Sequence, residues 1–338
     1  MRATTPRIPT LDGWRGIAIL LVLFDHIQFA VLHRYIRPWT QTGGHGVTLF
    51  FVLSGFLITS KLIERPIDLP RFYVRRAFRL MPVAWSYLAA LLVAGYLLHI
   101  PFTHFDAVRA CLLFYRNYVE IRTGGFTGHF WSLSVEGQFY LVWPCILLLV
   151  GKRRCIWIAA SAALCCAIYR WSFWAHYAEG LKYTRTQIHA DSLLVGCLMA
   201  LLLQYPNIRS KAVLYSKAWG LAAAVGVLLC ILHFHQLQPL CESIAIAGVL
   251  TATMLHPTFH LSKLLSAPVL TWLGAVSYSA YVWQEFFMAF GGGPVGLFLL
   301  CVAMPVCILF SYYCVERPAT KFGHRITAQR EGRMPVAA

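Results

Sequence analysis

Charge is scarce in this chain, and acidic charge is scarcer still. Of 338 residues only 12% are charged and only 13 are Asp or Glu, against about 25% charged residues in an ordinary soluble domain. With 59% hydrophobic residues, the chain has too little polar side chain to cover a soluble surface. Soluble enzyme classes are therefore excluded first. Metal and disulfide frameworks are poorly supplied as well. The 11 cysteines are an odd number, and no CxxC pair or His/Cys ligand spacing occurs. Most stand inside apolar runs, as Cys145, Cys165, Cys166, Cys197, Cys230, Cys301 and Cys307 do. They read as small buried thiols, and no metal site is expected. No internal repeat or low-complexity tract stands out.

What the chain does have is apolar sequence in blocks, with a mean hydropathy of +0.62. A bilayer core about 30 Å thick takes about 20 apolar residues per helix. Such blocks fall at about 14–32, 46–63, 80–100, 131–150, 155–174, 189–205, 217–234, 241–256, 268–288 and 294–315. The first block lacks the small-residue cleavage site of a signal peptide and is expected to be a true span. Residues 107–118 are apolar but too short and charged to cross, and are expected to be interfacial or re-entrant. The expected fold is an all-α polytopic membrane protein of about ten transmembrane helices. It forms one domain over 1–338, with a short basic tail at 316–338.

The net charge is +16, but the basic residues punctuate the blocks and form no single patch, so nucleic acid is not an expected partner. With the N-terminus inside, 20 of the 29 Lys and Arg residues fall in inner segments, 8 in outer ones, and Arg15 within the first block. That bias predicts both termini on the cytoplasmic side.

The first block contains Arg15 and, deep inside, Asp25 and His26. Eleven residues of helix turn about 20° past three full turns and rise roughly 16 Å, so Arg15 and His26 share a face. Asp25 is turned about 100° away. An ionisable group at such depth is costly and by default marks a site or pathway. Desolvation favours the neutral imidazole, the form a general base or nucleophile needs. Arg76 and Arg79 lie at i, i+3 on one helical face, with Arg71 and Arg75 close by. Guanidinium forks suit phosphate oxygens, although topology and anionic headgroups explain them as well. Ser132, Glu136 and Tyr140 recur every four residues. Glu136 is a candidate to orient His26, shuttle a proton or hold an acceptor hydroxyl, and an interhelical hydrogen bond is the structural alternative. Asp191 opens its block beside His189 and carries the same expectation. Gly274, Ser277, Tyr278, Tyr281 and Gln284 form a polar-aromatic face, in which small residues also serve close packing.

These segments together resemble the membrane acyltransferase-3 family. The resemblance rests on Arg15 and His26 with ten residues between them, "FFVLSGFLIT" (50–59), "RAFR" (76–79) before Met81-Pro82, "SLSVEGQFYLVWP" (132–144), "GAVSYSAYVWQ" (274–284) and "YYCVERP" (312–318). It covers about residues 10–320. It implies a multi-pass enzyme of the bacterial inner membrane that moves an acyl group, acetyl above all, from acyl-coenzyme A to a hydroxyl of a cell-surface or lipid-linked carbohydrate. Carried over by position, His26 is catalytic and Arg15, Arg76 and Arg79 bind the acyl-CoA donor; from their own settings Glu136 is expected to be catalytic beside it, and Ser132, Asp191 and Tyr278 to bind substrate. The donor's phosphates are expected on the arginines, with its pantetheine arm reaching His26. Family members commonly carry histidine where Gln284 stands, which puts an acid-base role there in doubt. A proton-coupled transporter using Asp25, His26, Glu136 and Asp191, or a lipid-sugar flippase, is the competing class; no inverted repeat supports it.

Overall fold

The computed structural model describes residues 8–28, 42–64, 66–99, 104–119, 125–173, 184–233, 238–288 and 293–331. Among them every regular element is helical: α1 (Pro9–Ile27), α2 (Thr42–Glu64), α3 (Leu69–Leu98), α4 (Phe105–Leu112), α5 (Phe130–Val150), α6 (Lys152–Phe173), α7 (Thr186–Leu203), α8 (Pro206–His233), α9 (Gln238–Leu255), α10 (His260–Leu265), α11 (Pro268–Met288), α12 (Gly293–Phe298), α13 (Met304–Phe310) and α14 (Arg317–Glu331). The outer-loop cations Arg34, Arg37, Arg122 and Lys182, and the end of the expected tail, 332–338, lie outside the described residues.

The chain is an all-α polytopic membrane protein. Among the described residues, six helical runs are long and apolar enough to cross a bilayer: α2, α3, α5, most of α6, α7 and the run Pro294–Gln329. The other four expected spans are helical too, on α1, α8, α9 and α11. α3 starts well before residue 80. Asp68 caps it, its carboxylate accepting the Arg71 N–H at 3.0 Å, and Pro70 occupies the first turn. Arg71, Arg75, Arg76 and Arg79 therefore stand on α3 itself. The helix has 30 residues, or about 45 Å at 1.5 Å per residue, longer than the hydrocarbon core.

By contacts the chain falls into two compact units. One comprises Met1–Asp25, Trp39–Arg65 and Val142–Ser277. Its core joins Leu11 and Ala18 of α1, Val52, Leu53 and Phe56 of α2, Met199 and Ala200 of α7, and Ile246 and Leu250 of α9. Glycine sets the spacing of α2 and α7. A Cβ on Gly55 would stand 2.0 Å from the Leu193 carbonyl oxygen, and one on Gly196 2.1 Å from that of Val52. Backbone thus touches backbone, as small residues permit in membranes. Gly274 does the same for α1 and α11, its Cβ position lying 1.9 Å from the Asp12 carbonyl oxygen. That is the packing reading of the 274–284 face, at its first residue.

The other unit comprises His26–Pro38, Pro66–Leu141 and Tyr278–Ala338. The 107–118 segment forms the short α4 and a 3-10 turn at Arg116–Tyr118. The turn is buried against α5: Arg116 N–H donates to Ser134 Oγ at 3.1 Å, and Gln138 Nε2 donates to the Phe114 carbonyl at 2.7 Å. The final helix runs into the expected 316–338 tail. Pro318 does not end it: Ser311–Glu316 form a π turn, and α14 continues to Glu331. Proline lacks an N–H and crowds the carbonyl four residues back; the wider π turn relieves both, and Pro318 falls in the first turn of α14, where its N–H is not needed. The expected tail is thus helical to Glu331. It packs on α3 through Gly323, whose Cβ position lies 2.7 Å from Phe78 Cβ, and through Arg75 Nε, which donates to Thr327 Oγ1 at 2.8 Å.

Candidate functional site

α1 carries Arg15 near its start and His26 in its last turn, both half-buried. The helix is continuous between them, so the shared face and roughly 16 Å rise hold. Asp25 has a separate setting. Thr42 Oγ1 donates to it at 3.5 Å, and its carboxylate lies against Gly43, where a Cβ would meet Oδ2 at 2.7 Å. It faces the N-terminal turn of α2, where free N–H groups and the helix dipole favour an anion. In the same unit His45 Nδ1 lies 2.9 Å from Oε1 of the buried Glu242. Neither His45 nor Glu242 was singled out from sequence.

The second unit gathers residues from motifs far apart in the chain. The Arg76 guanidinium of α3 lies 5.1 Å over the Tyr140 ring of α5 and 5.5 Å over Phe72. The Tyr140 hydroxyl donates to the Glu136 carboxylate one turn back. Arg79 and Glu136 lie within electrostatic range of Arg76, and Arg79, Glu136, Tyr140 and Glu316 within that of Tyr278. Tyr278 is buried and donates its hydroxyl to the Leu80 carbonyl at 2.6 Å. Glu316 is buried and accepts from Ser279 Oγ at 2.7 Å. Two guanidiniums, two carboxylates and two phenols therefore share one neighbourhood. The arginines can hold an anion. Tyr140 links the charge on Arg76 to Glu136, leaving a carboxylate able to accept or orient a proton.

Ser132 has another environment. Its Oγ lies 2.5 Å from the Tyr281 hydroxyl, which donates to the His129 carbonyl at 3.2 Å. His129 itself, buried, is held by the Glu285 carboxylate at both its backbone N–H (2.9 Å) and its Nδ1. Neither member of this pair was singled out from sequence; the pair spans 156 residues, and no spacing rule links it. Gln284 is fully buried with neither amide atom hydrogen-bonded. Asp191 is engaged with a partner of its own. Its Oδ2 accepts from Arg170 at 2.6 Å and its Oδ1 from the Ser192 N–H at 3.0 Å, and both side chains are at most 1% exposed. That places it in a buried ion pair between α6 and α7.

Comparison with known proteins adds an independent finding. The model of a family described as "Acyltransferase domain" matches residues 8–316. The chain is similar to YrhL of Bacillus subtilis (strain 168), 29% identical over 368 aligned positions that cover 96% of this chain and 56% of that protein. It is also similar to the Peptidoglycan O-acetyltransferase OatA of Listeria monocytogenes serovar 1/2a (strain ATCC BAA-679 / EGD-e), 28% identical over 310 positions, covering 82% of this chain and 49% of that one. The chain spans about half the length of these curated relatives. No solved structure matches it.

Proposed function

The chain belongs to this acyltransferase family, and from that premise we propose that it moves an acetyl group from acetyl-coenzyme A to a hydroxyl of peptidoglycan or of its lipid-linked precursor, in the bacterial inner membrane. The observation that carries the reading is the assembly of Arg76, Arg79, Glu136, Tyr140 and Tyr278 in one neighbourhood, from three helices whose motifs lie 60 to 200 residues apart. Peptidoglycan enters through the Listeria relative, whose name specifies it.

Arg76 and Arg79 are assigned to the donor's phosphates, with Arg15 assigned likewise by family position. Guanidiniums suit this task because they stay charged and bond phosphate bidentately. His26, as neutral imidazole, takes the proton of the acceptor hydroxyl while its oxygen attacks the thioester carbonyl; the carbon–sulfur bond breaks and the proton ends on the thiol of coenzyme A. Alternatively the imidazole attacks first, and the acyl-imidazole is then cleaved by the hydroxyl. Both routes use the same residues and release one thiol per ester formed. Glu136 is assigned to proton handling beside Tyr140.

Thiol release by purified protein in detergent, with acetyl-CoA and a soluble peptidoglycan fragment, tests the reading. Arg15→Ala and Arg76→Ala are expected to raise the KM for acetyl-CoA about tenfold or more, the scale of one lost charge-assisted hydrogen bond. His26→Ala is expected to abolish turnover even at saturating donor. Unchanged turnover in His26→Ala would remove the assignment. A proton-coupled carrier would release no thiol at all.

A further inference from the structure

α14 carries Arg317, Lys321 and Arg325 at four-residue spacing, so all three lie along one stripe, and all three are exposed. Arg317 sits 6.0 Å from the Tyr313 ring centre. Among the described residues, neither Lys321 nor Arg325 has an acidic partner. The stripe borders an open groove of about 710 Å³ between α14 and α3. The α3 side of the groove is apolar, built from Phe78 and Pro82, while Tyr313 and Phe322 line it from the same helical run as the cations. Phe78 and Phe322 meet edge to face at 5.4 Å.

The groove has a mechanical origin. The two helices are clasped at Gly323 and Thr327, where the missing Cβ lets Phe78 approach and the Arg75 hydrogen bond holds them together. Pro82, inside α3, and Pro318, after the π turn, line the groove. Both are places where a helix leaves its regular course.

We propose that this groove binds the phosphorylated nucleoside end of acyl-coenzyme A, its adenine against the aromatic side chains and its 3′-phosphate on Lys321 and Arg325. The assignment rests on the acyl-CoA reading above and extends it to residues with no assigned role. Three exposed cations along one stripe call for a multiply charged anion. The three rings lining the groove, Phe78, Tyr313 and Phe322, call for a flat aromatic partner. A nucleotide phosphate has both, whereas a phospholipid headgroup has only the first. The volume lies within the usual range for small-molecule sites, roughly 300–1,000 Å³. Arg79 follows Phe78 directly on α3, so the diphosphate of the same ligand would run toward the arginine pair.

The test uses full-length protein in phosphatidylcholine nanodiscs, with acetyl-CoA, dephospho-acetyl-CoA and adenosine 3′,5′-bisphosphate as probes. The wild type is expected to prefer acetyl-CoA over its dephospho form about tenfold or more, and to bind the bisphosphate competitively. The double variant Lys321→Gln/Arg325→Gln is expected to lose that preference and raise KM by the same factor, with kcat unchanged. An unaltered KM and a retained preference in the double variant would overturn the proposal. A double variant that loses only affinity for phosphatidylglycerol vesicles would overturn it in favour of a lipid-headgroup site. Bisphosphate binding without turnover of acetyl-CoA would sustain the groove and sink the acyl-transfer reading. Neither binding nor turnover would sink both.

Discussion

Asp191 shows how a costly residue can be legible while its meaning is not. An acidic group opening an apolar helix announces that something must compensate it. The partner, Arg170, stands 21 residues earlier on α6, and no periodicity connects them. With both side chains at most 1% exposed, removing either charge strands the other. Asp191→Asn is expected to destabilise by about 3–5 kcal/mol, the usual cost of breaking a buried pair, whereas Asp191→Leu combined with Arg170→Met should recover much of it. Thermal unfolding in detergent measures both, and a double variant no better than the single would show that Asp191 acts other than as a partner. Cys111 on α4 gives a second expectation. Burial pushes its thiol up to about 12, against the opposing pull of Arg116. At pH 8 only about one molecule in ten thousand carries the thiolate. Maleimide should leave Cys111 unmodified in folded protein and label it after denaturation in detergent, and raising the pH to 9 should change little. The His129–Glu285 pair was illegible for the same reason as Asp191–Arg170: its two halves lie on different elements, and only the fold brings them together.

Elements were legible where hydropathy marks them and illegible where the helix turns polar. Within the described residues all ten apolar blocks fall on helices, because about 20 apolar residues in lipid leave the backbone no other way to satisfy its hydrogen bonds. The first turns of α3 and the whole of α14 carry arginines and lysines, so hydropathy ends before the helix does. Asp68 with Pro70, a helix-start signature, marked the true beginning of α3. Nothing comparable marked α14, because Pro318 reads as a stop unless a π turn precedes it. The glycine contacts of α2 and α7 carry the expectation at this scale. Gly196→Val adds a branched side chain where even a lone Cβ would stand 2.1 Å from a carbonyl oxygen. The helices must part, and overpacking of this kind costs about 1–3 kcal/mol or more. Gly44, with nothing within 4 Å of its Cβ position, supplies the control: Gly44→Ala should melt like wild type. Equal melting temperatures for Gly196→Val and Gly44→Ala would show that the close approach is not what holds the pair.

At the scale of the molecule, membrane class and family were legible because composition and motif order extend over the whole chain and survive local misreadings. Orientation is the whole-molecule property that charge bias alone predicts. With 20 Lys and Arg residues on one side and 8 on the other, the cost of moving inner segments outward far exceeds that of the reverse. Six runs are apolar enough to cross by length and composition, and α1, α8, α9 and α11 are not among them. The decisive positions therefore flank α8. If α8 crosses, a reporter inserted at residue 205 lies inside, one between residues 233 and 238 lies outside, and one after residue 331 lies inside again. Green fluorescent protein should fluoresce at the first and third positions and alkaline phosphatase should be active only at the second. Phosphatase silent at all three positions would mean that α8 and α9 return without crossing. The spans would then number eight, with both termini still inside. Phosphatase active at the third position would reverse the orientation and remove Lys321 and Arg325 from the side where acyl-coenzyme A is found.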